Sequence, residues 1–182
     1  MREHAALLAS IGADVVLVRR PSELAEVSGL VIPGGESSVI DKLSRLFGMQ
    51  EPIRQAIRDG MPMLGTCAGL IMLADTVLDA IEGQESFGGL DVVVRRNAFG
   101  RQVESFEAEL DVPALGGAPV KAAFIRGPVV ESVGPAATSL AALPDGRVVA
   151  VEQDALLALS FHPEITGEQR FHQRFLDRVA HA

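Results

Sequence analysis

Residues 61–73, MPMLGTCAGLIML, decide how this chain is read, because they place its only cysteine where two patterns meet. The short apolar run before Gly65 reads as a strand, and AGLIMLADTVL from Ala68 onward reads as a helix. Between them lies Gly65-Thr66-Cys67-Ala68-Gly69, a Gly-x-Cys-x-Gly turn with the layout of a nucleophile elbow. A side chain held on so sharp a turn needs small neighbours. The following helix points its N-terminus at the sulfur, which favours the thiolate, and offers N–H groups to a developing oxyanion. The other reading is a structural thiol at a tight glycine turn, since free cysteine packs as a small hydrophobe.

Upstream of this stretch, strands and helices alternate. REHAALLASIGA (2–13) reads as a helix with Ala5, Leu8 and Ile11 on its apolar face, stopped by Gly12. DVVLVRR (14–20) and GLVIPGG (29–35) read as strands. ESSVIDKLSRLF (36–47) and EPIRQAIRDG (51–60) read as helices. Such alternation argues for parallel βαβ units. Downstream, GGLDVVVRRNAFGRQVESFEAEL (88–110) reads as two strands with hairpin-like spacing, and PVKAAFIRGP (119–128) as another strand. GRVVAVEQDALLALSFHPE (146–164) gives two strands joined near Asp154, before a C-terminal helix. The Ala-rich GPAATSLAALPDG (134–146) reads as an ordinary connection.

Composition supports a sheet covered by helices. Hydrophobic residues make up 48% of the 182 but aromatics only 4%, with no Trp or Tyr, so the core must be aliphatic. A formal net charge of −8 gives no electrostatic footprint for nucleic acid. The single cysteine makes no internal disulfide and suits a reducing cytoplasm. No apolar stretch is long enough to span a bilayer. The four histidines and one cysteine show no metal-ligand spacing.

Two further places carry chemistry. In Ser160-Phe161-His162-Pro163-Glu164, at the end of an apolar strand, alternation puts His162 and Glu164 on one face. A carboxylate there fixes the imidazole tautomer and stabilises the imidazolium, as a cysteine nucleophile's base requires. Read alone, the pair is a strand-end histidine and a solvated glutamate. His4, His172 and His181 lie on helices in polar surroundings and read as surface residues. In Pro33-Gly34-Gly35-Glu36-Ser37-Ser38, paired glycines let a backbone approach a ligand, although Ser37 capping a helix accounts for the same residues. The three arginines of RRNAFGR (95–101) suit a solvated loop or a carboxylate-binding one.

Taken together and in this order, PGGESS, GTCAGL and SFHPE resemble the class I, triad-type glutamine amidotransferases. RRNAFGRQVESFEAEL and FIRGP narrow the resemblance to the glutaminase subunits of pyridoxal 5′-phosphate synthases. It runs from Arg2 to the C-terminal helix. The resemblance implies one glutaminase domain over residues 1–182 with a flavodoxin-like three-layer α/β fold. Its central sheet is mostly parallel and carries a small antiparallel elaboration. It also implies that Cys67 attacks glutamine, that His162 is base and acid, and that Glu164 orients His162. Gly34, Gly35, Glu36, Arg96, Ile125 and Arg126 match the family's glutamine-binding positions, and Gly35 is a candidate oxyanion donor. No cofactor is implied for this chain. Its ammonia passes to a partner synthase subunit, a (β/α)₈ barrel in a large hetero-oligomer, which makes the pyridoxal 5′-phosphate.

One departure stands out. Family members open with a hydrophobic strand and a Leu-Gln-Gly turn before the REH helix, whereas here Met1 adjoins REH directly. The resemblance places that strand centrally, so its absence is expected to leave two unpaired strand edges and a slice of core exposed. An upstream start is therefore expected, and Met1–Ala182 alone is expected to be poorly stable and weakly active. Two further readings remain: a catalytically impaired, partner-binding subunit, and a cysteine hydrolase of the same superfamily acting on another substrate.

Overall fold

A computed structural model describes residues 1–96, 105–125 and 127–182. In chain order the elements are α1 (Arg2–Ser10), α2 (Pro21–Leu24), β1 (Leu30–Ile32), α3 (Ser37–Leu46), α4 (Gln50–Arg58), β2 (Met63–Thr66), α5 (Ala68–Leu73) and β3 (Ala74–Leu78). There follow β4 (Leu90–Arg95), β5 (Phe106–Leu110), β6 (Val120–Phe124), β7 (Val129–Val133), β8 (Thr138–Ala142), β9 (Val148–Gln153), β10 (Leu156–Leu159), α6 (Pro163–Thr166) and α7 (Arg170–His181).

Among the described residues the main sheet runs β1-β2-β10-β9-β7-β4-β3, with β8 on β9. β1, β2 and β10 are parallel neighbours, as are β3 and β4, while β7, β8 and β9 join antiparallel. β5 and β6 form a separate antiparallel pair. Alternation along the strands divides the core between the two faces. Met63, Leu156 and Ala158 face the side covered by α3, α4 and α5. Leu64, Leu157 and Leu159 face α1, α7 and the small sheet. Three layers result. α7 is tied down by Arg174, 2.8 Å from Glu152 of β9, and by Arg178 on the same carboxylate.

Several expectations need correction. AGLIMLADTVL is not one helix: α5 ends at Leu73 and the chain continues as β3, where Leu90 and Val93 pair with Ala74 and Thr76. The expected hairpin over 88–110 does not form, because β4 pairs with β3 and β7 and β5 pairs with β6. The Ala-rich connection contains β8. The turn near Asp154 is found, with Asp154 at φ 49°.

DVVLVRR is not a strand. Of the sheet's strands, β1 has a ladder partner on one side only, β2. Between β1 and residues 13–19 lies a cavity of about 530 Å³, bordered also by His4 and Leu8 of α1 and by Phe175 and Val179 of α7. An extended run becomes a strand only through its neighbour, and this one faces a slot. The slot lies along the edge of β1 that has no ladder partner among the described residues. Val16 and Leu17 are accordingly more than half exposed. In hydrogen–deuterium exchange, the amides of residues 14–18 are expected to exchange as loop amides do, while those of Leu64 and Ala158 are protected. Protection at 14–18 equal to that of β2 would contradict the unpaired edge.

Candidate active site

β2 delivers Cys67 and α5 carries the chain away from it. Cys67 sits at φ 52°, ψ −105°, a strained conformation for a residue with a side chain. Its N–H donates to the Leu159 carbonyl at 2.7 Å, fastening the turn to β10. Sterics explain the flanking glycines. A Cβ on Gly69 would lie 2.0 Å from the Ile32 carbonyl oxygen, and one on Gly65 would lie 2.7 Å from the Gly69 carbonyl. The elbow read from the sequence is therefore present, and only glycine permits the packing of α5 on β1 and β2.

His162 follows the end of β10 and precedes α6, so the pairing with Glu164 arises from a turn rather than from the strand alternation expected above. Pro163 occupies the first helical position, where its missing N–H costs nothing. The result is the same pair: His162 Nδ1–H donates to Glu164 Oε1 at 2.7 Å. The Cys67 side chain acts on the imidazole from its other side. Gly34 lies flat against the ring, since a Cβ there would stand 2.5 Å from His162 Cε1.

Burial is the largest influence on His162 and pushes its pKa down. The hydrogen bonds and charges of Cys67 and Glu164 outweigh it and raise the value to about 9. Burial likewise works to raise the pKa of Glu164, but hydrogen bonds from His162 and His4 hold it well below the usual carboxylate range. At neutral pH the site thus holds an imidazolium between a carboxylate and a sulfur.

Sequence reasoning missed two residues. His4 and His172, expected at the surface, are 3% and 0% exposed. His4 Nε2 lies 3.3 Å from Glu164 Oε1 and 3.1 Å from Thr66 Oγ1, and His4 Nδ1 lies 2.8 Å from His172 Nε2. The signal was present: His4, Leu8 and Ile11 are spaced four and three apart, as are His172, Phe175 and Val179 in a three-and-four pattern, so each histidine lies on its helix's apolar face.

Beyond Cys67, His162 and Glu164, Glu36 precedes α3 and accepts from Arg96 Nη2 at 2.6 Å. Arg96 Nη1 donates to Gln84 Oε1 at 2.8 Å, and Gln84 Nε2 reaches Ser37 Oγ at 3.1 Å. Gln84 is a member of this network that the sequence reading did not single out. Arg96 is buried although it is charged. Gly35, at φ 155°, adopts a conformation open in practice to glycine alone. The loop Gly34-Gly35-Glu36 therefore links the His162 ring to the Arg96 guanidinium. Ile125 follows β6 and is 42% exposed. It stands two residues beyond Ala123, whose carbonyl accepts from the His162 N–H at 3.0 Å. Arg126 and the rest of RRNAFGR beyond Arg96 lie outside the described residues. Among the described residues no cluster of His, Cys, Asp and Glu could hold a metal, and no helix is long and apolar enough to cross a membrane.

Known proteins resemble this arrangement along its whole length. The pyridoxal 5′-phosphate synthase subunit PdxT of Leifsonia xyli subsp. xyli is 64% identical over 98% of this chain and 90% of its own length. The PdxT subunit of Clavibacter sepedonicus is 65% identical over 100% of this chain and 87% of its own. A crystal structure of a glutamine amidotransferase superposes with a TM-score of 0.91 at 40% identity, covering 98% of this chain and 93% of that one. The SNO glutamine amidotransferase family model matches residues 1–181, and the chain belongs to that family.

Proposed function

We propose that this chain is the glutaminase subunit of a pyridoxal 5′-phosphate synthase, acting as one domain over residues 1–182 and hydrolysing L-glutamine to L-glutamate and ammonia. The observation that carries the reading is the strained Cys67 at the turn between β2 and α5, electrostatically coupled to an imidazole whose Nδ1 is held 2.7 Å from Glu164. The names of the close relatives support the choice of pathway and partner.

Cys67 Sγ attacks the carboxamide carbon of the substrate side chain, and the carbonyl electrons move onto oxygen. Backbone N–H groups, those of Gly35 and of Ala68 at the start of α5, are the candidate donors to that oxyanion. As the tetrahedral adduct collapses, the His162 imidazolium gives its proton to the departing nitrogen, and ammonia leaves a γ-glutamyl thioester. Neutral His162 then takes a proton from water, whose oxygen attacks the thioester carbon; glutamate departs and the thiolate–imidazolium pair returns. Glu164 keeps the ring in the one tautomer that serves both steps. Arg96, with Glu36 beside it, reads the amino-acid head of glutamine, where a guanidinium meets a carboxylate in two hydrogen bonds. Ile125 and Arg126 complete the substrate contacts. Ammonia then passes to the (β/α)₈-barrel synthase subunit in a large hetero-oligomer, in the cytoplasm, where a lone thiol stays reduced.

Glutamate release from glutamine, measured with the synthase subunit present, tests this. Cys67→Ala is expected to lower it by roughly 10³-fold or more. Release that survives Cys67→Ala, or wild-type turnover of peptides in preference to glutamine, would overturn the reading. The names of the close relatives and the His162–Glu164 pairing favour this reading over the non-catalytic, partner-binding alternative.

A further inference from the structure

We propose that His4 is a positioning residue of the triad, holding Glu164 Oε1 and Thr66 Oγ1 through its Nε2 while His172 holds its Nδ1. This rests on the glutaminase reading for its effect on turnover, though not for its effect on the sulfur.

Glu164 stands on α6, a four-residue turn beyond the end of β10, so no ladder hydrogen bond fixes its backbone. Its Oε2 is buried without a hydrogen-bond partner among the described residues. Both contacts of the carboxylate therefore fall on Oε1, one from His162 at 2.7 Å and one from His4 at 3.3 Å. With His162 alone, the carboxylate could swing with the ring it is meant to orient. His4 supplies the second point, and it comes from α1, a different element.

The same nitrogen reaches Thr66 Oγ1 at 3.1 Å. Thr66 is the residue before Cys67, so His4 references the orienting carboxylate to the strand that carries the nucleophile. A bare ring lone pair facing an ionised carboxylate 3.3 Å away would be repelled, so His4 Nε2 carries a proton, which it donates to Thr66 Oγ1 while facing Glu164 Oε1 as an ion contact. That holds whether His4 is neutral and accepts at Nδ1 from His172, or is an imidazolium and donates there. His172 is neutral, because burial above all lowers its pKa to about 4. The two rings meet with centroids 5.1 Å apart. A leucine would fill the His4 site without needing polar partners. Two buried imidazoles joined at 2.8 Å, the inner one meeting Thr66 and Glu164, mark a built contact from α7 through α1 to the site, although His172 Nδ1 has no hydrogen-bond partner among the described residues.

Two amides separate the roles of the His4 nitrogens. In His4→Gln the side-chain amide reaches the Nε2 position; in His4→Asn it reaches only the Nδ1 position. The readout is alkylation of Cys67 by iodoacetamide at neutral pH, followed by intact mass, alongside kcat and KM for glutamine with the synthase subunit. His4→Asn is expected to slow both alkylation and kcat by roughly 10- to 100-fold with KM little changed, while His4→Gln stays within about threefold of wild type. In a Glu164→Ala background, His4→Asn is expected to add less than about a twofold further loss. Thr66→Val, isosteric and buried, removes one of the two Nε2 contacts and is expected to slow alkylation severalfold even if His4→Asn folds poorly. Equal rates in the Gln and Asn variants, a full additive loss in the Glu164→Ala background, or an unchanged rate in Thr66→Val would each overturn the inference. Alkylation needs no substrate. A wild type that alkylates in this pattern but releases no glutamate would sink the glutaminase reading and leave the role of His4 standing.

Discussion

An alanine at Gly69 is expected to leave most of the chain unfolded or insoluble. The added Cβ would stand 2.0 Å from the Ile32 carbonyl oxygen and 3.0 Å from its carbon. The nearest obstacle is backbone, and no rotamer change relieves it. Either α5 lifts from the sheet or β1 moves. α5 is buried along its whole length, from Ala68 to Leu73, so lifting it opens the core on the side of α3 and α4. β1 is three residues long and among the described residues has a ladder only with β2, so it has little ladder energy to resist displacement. The cost is expected to exceed about 4 kcal/mol, the exceptional end of single substitutions. Against a total stability of roughly 5–15 kcal/mol, that is a large share. The comparison is Gly146→Ala, at φ 88° with nothing within 4 Å of the added carbon, where only backbone strain of about 1 kcal/mol is expected. Urea unfolding of the two variants measures the contrast. A Gly69→Ala protein with a midpoint no lower than that of Gly146→Ala would show that α5 does not pack on Ile32 as described.

The same sterics make the elbow legible in the sequence. Gly65, Cys67 and Gly69 interact through their own backbones and a neighbouring strand, and the constraint they impose is written into residue size. The Gly34 approach to His162 is of the same kind. Other elements depend on distant partners. Whether DVVLVRR forms a strand is decided by what lies beside it, not by its β-branched content, and beside it lies a slot. ADTVL reads as a continuation of α5 until Leu90 and Val93 are available to pair with it. His4 and His172 fall between these cases. Their spacing within α1 and α7 marked them as inward-facing, but their polarity argued for the surface. Only the convergence of the two helices behind Glu164 gives each ring the partners that make burial tolerable.

The base of the site is expected to show the largest catalytic effect after the nucleophile itself. His162→Ala should lower kcat for glutamate release by roughly 10³-fold or more, since in the proposed mechanism one ring both protonates the leaving nitrogen and activates water. Its protonation sets the pH profile. With a pKa of about 9, His162 is an imidazolium at neutral pH and can give a proton to ammonia's nitrogen. As pH rises through about 9 that proton is lost, so kcat/KM is expected to fall on its alkaline side there. Glu164→Gln removes the carboxylate that favours the cation, and the alkaline limb should move to lower pH. The linkage to folding has definite signs. His162 is raised from its ordinary 6.5, so its contribution is complete below about 6.5 and vanishes as pH climbs through about 9. Glu164 is depressed from its ordinary 4.5, so its contribution is complete above about 4.5 and is lost only toward strong acid. The stability gap between wild type and Glu164→Gln should therefore be widest near pH 5 to 6 and narrow as pH rises through about 9. Urea midpoints collected across that range, together with the kcat/KM profile, check both halves. A gap that widens with rising pH would mean that His162 is held neutral, and the imidazolium would then have no place in the reaction.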